Sequence, residues 1–266
     1  MPDLAGIVAD LKAEVVELDG VVGILSDEQW DLPTPAEGWS IRDQISHLAF
    51  FDEQARHAAT DPDGFAASLQ NVALDVGGFM DEPIDRGRAL APNGVLQWWR
   101  SAGAQELAAF AGLAPSTRIP WFGPPMSPAS FVSARIMETW AHGQDIYDAL
   151  QLSRTPTARL RHICHLGVRA RANSYGARGR SMPDVDVAVV LVGPGGEMWA
   201  WNEGAEHRIA GSALDFCLVV TQRRHPDDTS LMVEGPAARE WLEIAQAFAG
   251  PPGNGRKSGQ FAPIGL

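Results

Sequence analysis

The sequence predicts an α+β fold in which a four-helix bundle precedes a small mixed α/β domain. Apolar residues recur at three- and four-residue steps through most of the first 150 positions, which is the period of an amphipathic helix. After residue 180 the pattern changes to short β-branched runs separated by glycine and proline, which is typical of strands. The expected boundaries are a bundle at 1–152, a connecting helix at 153–180, the α/β domain at 181–250 and a flexible tail at 251–266.

Local signals mark the ends of the bundle helices. The four helices are expected at about residues 4–25, 40–60, 93–113 and 128–150. Ser40 and Asp43 form a capping-box pair at the start of the second helix. Ser127 and Pro128 suit the N-cap and the first turn of the fourth. The segment 61–91 is interrupted by Asp, Gly and Pro and carries no clear prediction.

The C-terminal domain is predicted from the order of its short segments. Strand-like runs occur at 186–192, 198–201, 207–210 and 230–234, and helical patterns occur at 212–220 and 236–248. This gives the order β-β-β-α-β-α.

Composition excludes several classes of protein. The net charge of −12 and the pI of about 4.9 argue against binding to a nucleic-acid backbone. No apolar run approaches the roughly 18–20 residues of a membrane span, and the N-terminus shows no signal-peptide pattern. Cys164 and Cys217 do not form a C-x-x-C pair, so we expect buried thiols in a reducing cytoplasm. A monomer or a homodimer is expected.

Three residues point to a metal site. Glu138 and His142 are four positions apart, so on a helix they project from one face. His47, on an earlier amphipathic helix, is the candidate third ligand, and three protein ligands would leave a coordination position open, as in catalytic zinc sites. An acid–histidine pair at this spacing also stabilises ordinary helices, so the pair alone is a weak signal. Apolar residues flank His47, Glu138 and His142 and strengthen the prediction of a metal site, because buried ionisable groups are costly unless they are paired or bind a metal.

Two segments carry a family resemblance. Residues 34–48, TPAEGWSIRDQISHL, resemble the G-W-[ST]-[VI]-x-D-[VL]-x-x-H-L signature of the DinB-like metal-binding superfamily. Residues 137–145, METWAHGQD, resemble the E-x-x-x-H-x-x-D signature of the mycothiol-dependent maleylpyruvate isomerase family. Many DinB-like relatives have histidine where Glu138 stands, so the carboxylate favours the mycothiol branch. The strand and helix order of the second domain is similar to that of sterol carrier proteins.

The resemblance implies a site and a chemistry. His47, Glu138 and His142 would bind a divalent metal, most simply Zn²⁺, and mycothiol would be the low-molecular-weight thiol cofactor. The family has an arginine at the end of its penultimate helix, for which Arg223 is the first candidate and Arg224 the second. These cations could instead simply favour the helix dipole.

The implied function is a zinc-dependent, mycothiol-dependent enzyme. It would act on an electrophilic or unsaturated acid, as a maleylpyruvate-type cis–trans isomerase or as a thiol S-transferase. The alternative is a non-enzymatic protein that binds a metal or a small ligand. Two further expectations concern neighbours of the site: Asp145 could be a hydrogen-bond partner of His142, and Asp52 could orient a ligand or a water molecule.

Overall fold

The computed structural model describes residues 3–261 and divides the chain into two compact units that meet in sequence between Arg154 and Thr155. Residues 262–266 of the predicted flexible tail lie outside the described residues. Across the described part of the chain, no helix has both the length and the apolar character needed to cross a membrane. Helices followed by a four-stranded sheet confirm the predicted α+β class.

The first unit is helical. Its described helices are α1 (Leu4–Val22), α2 (Ile41–Thr60), α3 (Pro62–Leu74), α4 (Val76–Arg88), α5 (Pro92–Ala111) and α6 (Pro128–Ala149). The four long helices α1, α2, α5 and α6 pack against one another, which confirms the predicted bundle. Their interface buries large apolar side chains, including Leu18, Ile45, Leu48, Trp99 and Ile146. Helix α2 contacts both α5 and α6, so its inward face lies at the centre of the unit.

The segment without a clear sequence prediction forms α3 and α4, which pack on α2. Asp61 caps α3 by accepting a hydrogen bond from the backbone N–H of Gly64 at 3.0 Å. Asp75 caps α4 in the same way by accepting from Gly78 at 2.9 Å. An aspartate three residues before such a donor is a helix-start signal, so the punctuation in this segment marks two short helices.

A tight hairpin precedes α2. Pro33 and Ser40 form an isolated antiparallel bridge, and the backbone N–H of Thr34 donates to the carbonyl of Trp39 at 2.8 Å. Gly38 has a φ of +79°, a left-handed conformation that glycine adopts without strain. The hairpin therefore fixes Trp39 immediately before the first turn of α2.

The second unit is a small sheet with helices. Its described elements are α7 (Leu160–Arg169), α8 (Arg171–Gly176), β1 (Val187–Val192), β2 (Met198–Trp201), β3 (His207–Ser212), α9 (Ala213–Val220), β4 (Met232–Glu234) and α10 (Pro236–Ile244). The strand order is β2-β1-β3-β4, in which β1 and β3 are parallel and the outer pairs are antiparallel. The predicted order β-β-β-α-β-α is confirmed.

The segment 153–180 differs from the single connecting helix that the sequence predicts. It contains two short helices, α7 and α8, which meet at Ala170. Helix α7 packs on α9, where a Cβ atom on Gly167 would approach Val220 to 2.9 Å. The close packing on α9 explains why the segment belongs with the second unit.

The described part of the tail contacts the turn after α9. The backbone N–H groups of Gly259 and Phe261 donate to the Asp228 carboxylate at 2.7 and 3.3 Å. The guanidinium of Arg224 lies 3.8 Å from the centre of the Phe261 ring. These contacts attach residues 259–261 to the second unit, and the flexibility of the tail as a whole stays a prediction.

Candidate metal centre

The structure brings His47, Glu138 and His142 together. His47 comes from α2 and the other two from α6, and one potential ligand atom from each lies within 4.8 Å of the others. The His142 Nε2 atom is 3.4 Å from Glu138 Oε2, and the two imidazole ring centres are 4.4 Å apart. Two nitrogen donors and one carboxylate oxygen therefore converge, although their binding of a metal stays a prediction.

Gln44 orients His142. The Oε1 atom of Gln44 is 2.5 Å from His142 Nδ1, and the Nε2 of the same amide donates to Thr34 Oγ1 at 2.9 Å. Because the amide oxygen can only accept, the proton of a neutral imidazole belongs on Nδ1 and the lone pair on Nε2. That tautomer suits a metal ligand, because Nε2 can bind the metal while the N–H of Nδ1 donates to a neighbouring oxygen. Asp145 was the expected hydrogen-bond partner of His142, whereas in the structure Gln44 contacts Nδ1.

Sequence reasoning missed Gln44, although a signal was present. Gln44 is three residues before His47 on α2, so the two side chains share a face of the helix. A polar residue that is completely buried on the same face as a candidate ligand is a candidate partner for that ligand.

Glu138 is ionised at neutral pH. Burial acts to raise the pKa of Glu138, but the hydrogen bond and charge of His142, with the charges of Arg135 and His47, lower it to about 2. A carboxylate is the form that binds a divalent cation. The side chain of Glu138 remains 23% exposed and that of His142 12% exposed, so the cluster is reachable from solvent.

Aromatic rings surround the two histidines. The Trp39 ring lies 5.2 Å from His47 and stacks on His142 at 5.9 Å, measured between ring centres. The Phe51 ring lies 4.5 Å from the His47 ring, also between centres. Phe51 also contacts Phe122, from the loop between α5 and α6, at 5.8 Å. Apolar walls with a polar centre are typical of small-molecule sites.

The donor set fits zinc. Two imidazole nitrogens and one carboxylate oxygen form a common protein ligand set of catalytic zinc sites, which keep a further position for water or substrate. The ionised state of Glu138 and the Nδ1 contact of His142 both prepare these side chains for a cation.

A second cluster of charges lies beside the first. Arg135 on α6 contacts Asp52 of α2 at 2.6 Å and Glu106 of α5 at 3.0 Å, and all three side chains are almost fully buried. Burial raises the pKa of Asp52 to about 6 against the opposing charge of Arg135, and it raises the pKa of Glu106 well above its usual range. Asp52 was expected to orient a ligand or a water molecule, but the structure pairs it with Arg135.

The two predicted arginines lie at the end of α9 in the second unit. Arg223 donates from its backbone N–H to the carbonyl of Leu218 at 2.7 Å, and Arg224 is 6% exposed. Gln222, the residue before Arg223, has a φ of +60°. A residue in the left-handed conformation is common just after the end of a helix. The role of either arginine in substrate binding stays a prediction.

A family model matches the first unit. Residues 11–147 match the model described as "Mycothiol maleylpyruvate isomerase N-terminal domain". Uncharacterized proteins from two strains of Mycobacterium tuberculosis are each 44% identical to this chain over 257 residues, which is 96% of this chain and 100% of theirs.

Solved structures share the fold. The crystal structure of the mycothiol-dependent maleylpyruvate isomerase matches with a TM-score of 0.61 at 14% identity, covering 90% of this chain and 96% of that one. A mutant of the same enzyme matches with a TM-score of 0.60 and the same coverage. At this identity the similarity establishes the two-part architecture.

Proposed function

This chain belongs to the mycothiol maleylpyruvate isomerase N-terminal domain family, and we propose on that basis that it is a zinc-dependent enzyme that uses mycothiol. The reaction would be a maleylpyruvate-type cis–trans isomerisation or a thiol S-transfer to an electrophile. The observation that carries the proposal is the convergence of His47, Glu138 and His142 within 4.8 Å.

We infer the roles of the chain's own residues from the geometry. His47, Glu138 and His142 would hold the metal, Gln44 would fix the His142 ring, and Trp39 would shield the histidines from water. When bound, a zinc ion would act as a Lewis acid and favour the thiolate form of a thiol. Because the cluster is partly exposed, a small thiol and its co-substrate can reach it from solvent.

The chain's own cysteines do not suit the nucleophile's role. Cys164 and Cys217 are both fully buried in the second unit, with their Sγ atoms 3.4 Å apart. Burial, together with the contact to Cys164, raises the pKa of the Cys217 thiol well above its usual range. A buried thiol of this kind is unreactive, so an external thiol must supply the nucleophile. Free thiols also accord with the cytoplasmic location that we propose.

The acid group of the substrate requires a cation. We assign this role to Arg223, with Arg224 as the second candidate, because a planar guanidinium binds a carboxylate through two hydrogen bonds. The proposed substrate is an unsaturated or electrophilic acid.

Turnover by the zinc-loaded protein tests the proposal. With mycothiol, wild-type protein should isomerise maleylpyruvate or conjugate an electrophile, and His142→Ala should abolish the thiol-dependent rate because it removes a metal ligand. His57→Ala is a matched control, since His57 is a half-exposed histidine of α2 that contacts Asp61. Binding of one zinc ion per chain without thiol-dependent turnover would contradict an enzymatic role and leave the metal- or ligand-binding alternative.

A further inference from the structure

A cleft in the helical unit shares Trp39 with the surroundings of the metal centre. The cleft, of about 580 Å³, lies at the start of α2, on the hairpin that precedes the helix. Its lining includes Asp31, Trp39, Ser40, Arg42, Asp43 and Arg88. The three metal-site candidates do not line it, so it is a separate space.

The charges of the cleft balance. Arg42 contacts Asp31 at 2.9 Å, and Arg88 contacts Asp43 with its Nε and Nη2 atoms at 3.0 and 2.9 Å. Two cations and two anions cancel, so the cleft does not select a strongly charged ligand. Its exposed polar groups are the Asp31 carboxylate, which accepts hydrogen bonds, and the Arg88 guanidinium, which donates them. The buried Nε of Arg42 has no hydrogen-bond partner in the described residues.

The cleft and the metal centre share the hairpin before α2. Trp39 lines the cleft, and its ring stacks on His142. From the same hairpin, the Thr34 hydroxyl accepts from Gln44, which in turn contacts His142 Nδ1. A molecule in the cleft would therefore lie next to the aromatic ring that covers the metal ligands.

We propose that this cleft binds the uncharged, hydroxyl-rich body of the thiol co-substrate, an inference that rests on the proposed function. Aspartate and arginine side chains together bind hydroxyl groups, which both donate and accept hydrogen bonds. An indole ring offers an apolar face to the C–H groups of a sugar-like ring. With its body in the cleft, the thiol would extend past Trp39 toward His47, Glu138 and His142.

Calorimetric titration of the zinc-loaded protein with mycothiol tests the inference. The cleft variants are Asp31→Ala, which removes an exposed carboxylate, and Arg88→Lys, which keeps the charge beside Asp43 but loses the guanidinium fork. Asp19→Ala and Arg100→Lys are the matched controls, because this exposed aspartate–arginine pair of the same unit does not line the cleft. Each cleft variant should weaken mycothiol binding by about tenfold, while the controls bind as wild type does.

A small thiol without a hydroxyl-rich body, such as 2-mercaptoethanol, separates the cleft from the metal centre. Its affinity should be the same in wild type and in both cleft variants. Unchanged mycothiol affinity in Asp31→Ala and Arg88→Lys would overturn the inference, even if thiol-dependent turnover persisted. Equal losses for mycothiol and 2-mercaptoethanol would also overturn it. Selective loss of mycothiol binding without any turnover in wild type would support the cleft and contradict the proposed enzymatic function.

Discussion

Two clusters of three ionisable side chains lie side by side in the helical unit, and they differ in what they lack. The first cluster contains two imidazole side chains and one carboxylate, from His47, His142 and Glu138, and it includes no permanently charged cation. The neighbouring cluster of Asp52, Glu106 and Arg135 contains its own cation. The first cluster therefore has donor atoms for an external ion, whereas the second is closed.

The two clusters also differ in how exposed their side chains are to solvent. The side chains of Asp52, Glu106 and Arg135 are 1–4% exposed, whereas Glu138 is 23% exposed. Helices α2 and α6 contribute to both clusters, so one pair of helices carries a reachable site and a sealed ion cluster about one turn apart. The difference shows that a charged residue beside a candidate ligand need not share its function.

Removal of Arg135 should have the largest effect. Arg135→Met leaves two carboxyl groups buried without their cation, so we expect the free energy of unfolding to fall by about 3–5 kcal/mol. Urea unfolding of the metal-free protein measures it. Arg100→Met, which removes the exposed partner of Asp19, should change the same quantity by about 0–1 kcal/mol. Equal losses in the two variants would show that the buried cluster does not depend on Arg135 for its stability.

Removal of the Gln44 amide should have an intermediate effect on the reachable cluster. Gln44→Leu keeps the side-chain volume but leaves His142 Nδ1 without its acceptor, so the affinity for zinc should fall by about 10- to 100-fold. Competition with a chromogenic chelator measures that affinity. Gln105→Leu, on the exposed face of α5, is the control and should bind zinc as wild type does. Wild-type affinity in Gln44→Leu would mean that the amide does not orient the ligand.

The smallest expected effect is an opposite dependence of stability on pH. The pKa of Asp52 is raised to about 6 in the folded state. The contribution of Asp52 to the free energy of unfolding is therefore fully present below its unfolded pKa of 3.8 and is lost as the pH rises through 6. The pKa of Glu138 is lowered to about 2 in the folded state. The contribution of Glu138 to the free energy of unfolding is therefore fully present above its unfolded pKa of 4.5 and is lost as the pH falls toward 2.

Urea unfolding of the metal-free protein between pH 3 and 7 distinguishes the two carboxyl groups. As the pH rises from 4 to 7, the free energy of unfolding of Asp52→Asn should increase relative to that of wild type. Glu138→Gln should be less stable than wild type above pH 4.5, and this difference should shrink as the pH falls below 4.5. If the free energy of unfolding of both variants changed with pH as that of wild type does, the two carboxyl groups would not differ in the way described.

The reachable cluster could be predicted from sequence because its signal is local. Glu138 and His142 are four residues apart, and His47 follows a recognisable helix start at Ser40. Gln44 stands where the signature has valine or leucine, so the motif itself did not indicate a contact with His142.

The sealed cluster could not be predicted, because its partners are distant in sequence. Arg135 is 83 residues from Asp52 and 29 from Glu106, and only the packing of α2, α5 and α6 brings them together. The sequence showed Asp52 near a candidate ligand but not which cation would neutralise it. Helices α3 and α4 were missed for a different reason: their glycines and Pro83 obscure the apolar period, while the caps at Asp61 and Asp75 still mark their starts.

Equilibrium titration of metal-free protein with zinc tests the central contrast most directly. Wild type and Asp52→Asn should each bind one zinc ion per chain, whereas His47→Ala and His142→Ala should each lose at least about 100-fold in affinity, because each lacks one of three protein ligands. Absence of zinc binding by wild type, or undiminished binding by both histidine variants, would contradict the assignment of the reachable cluster as a metal centre.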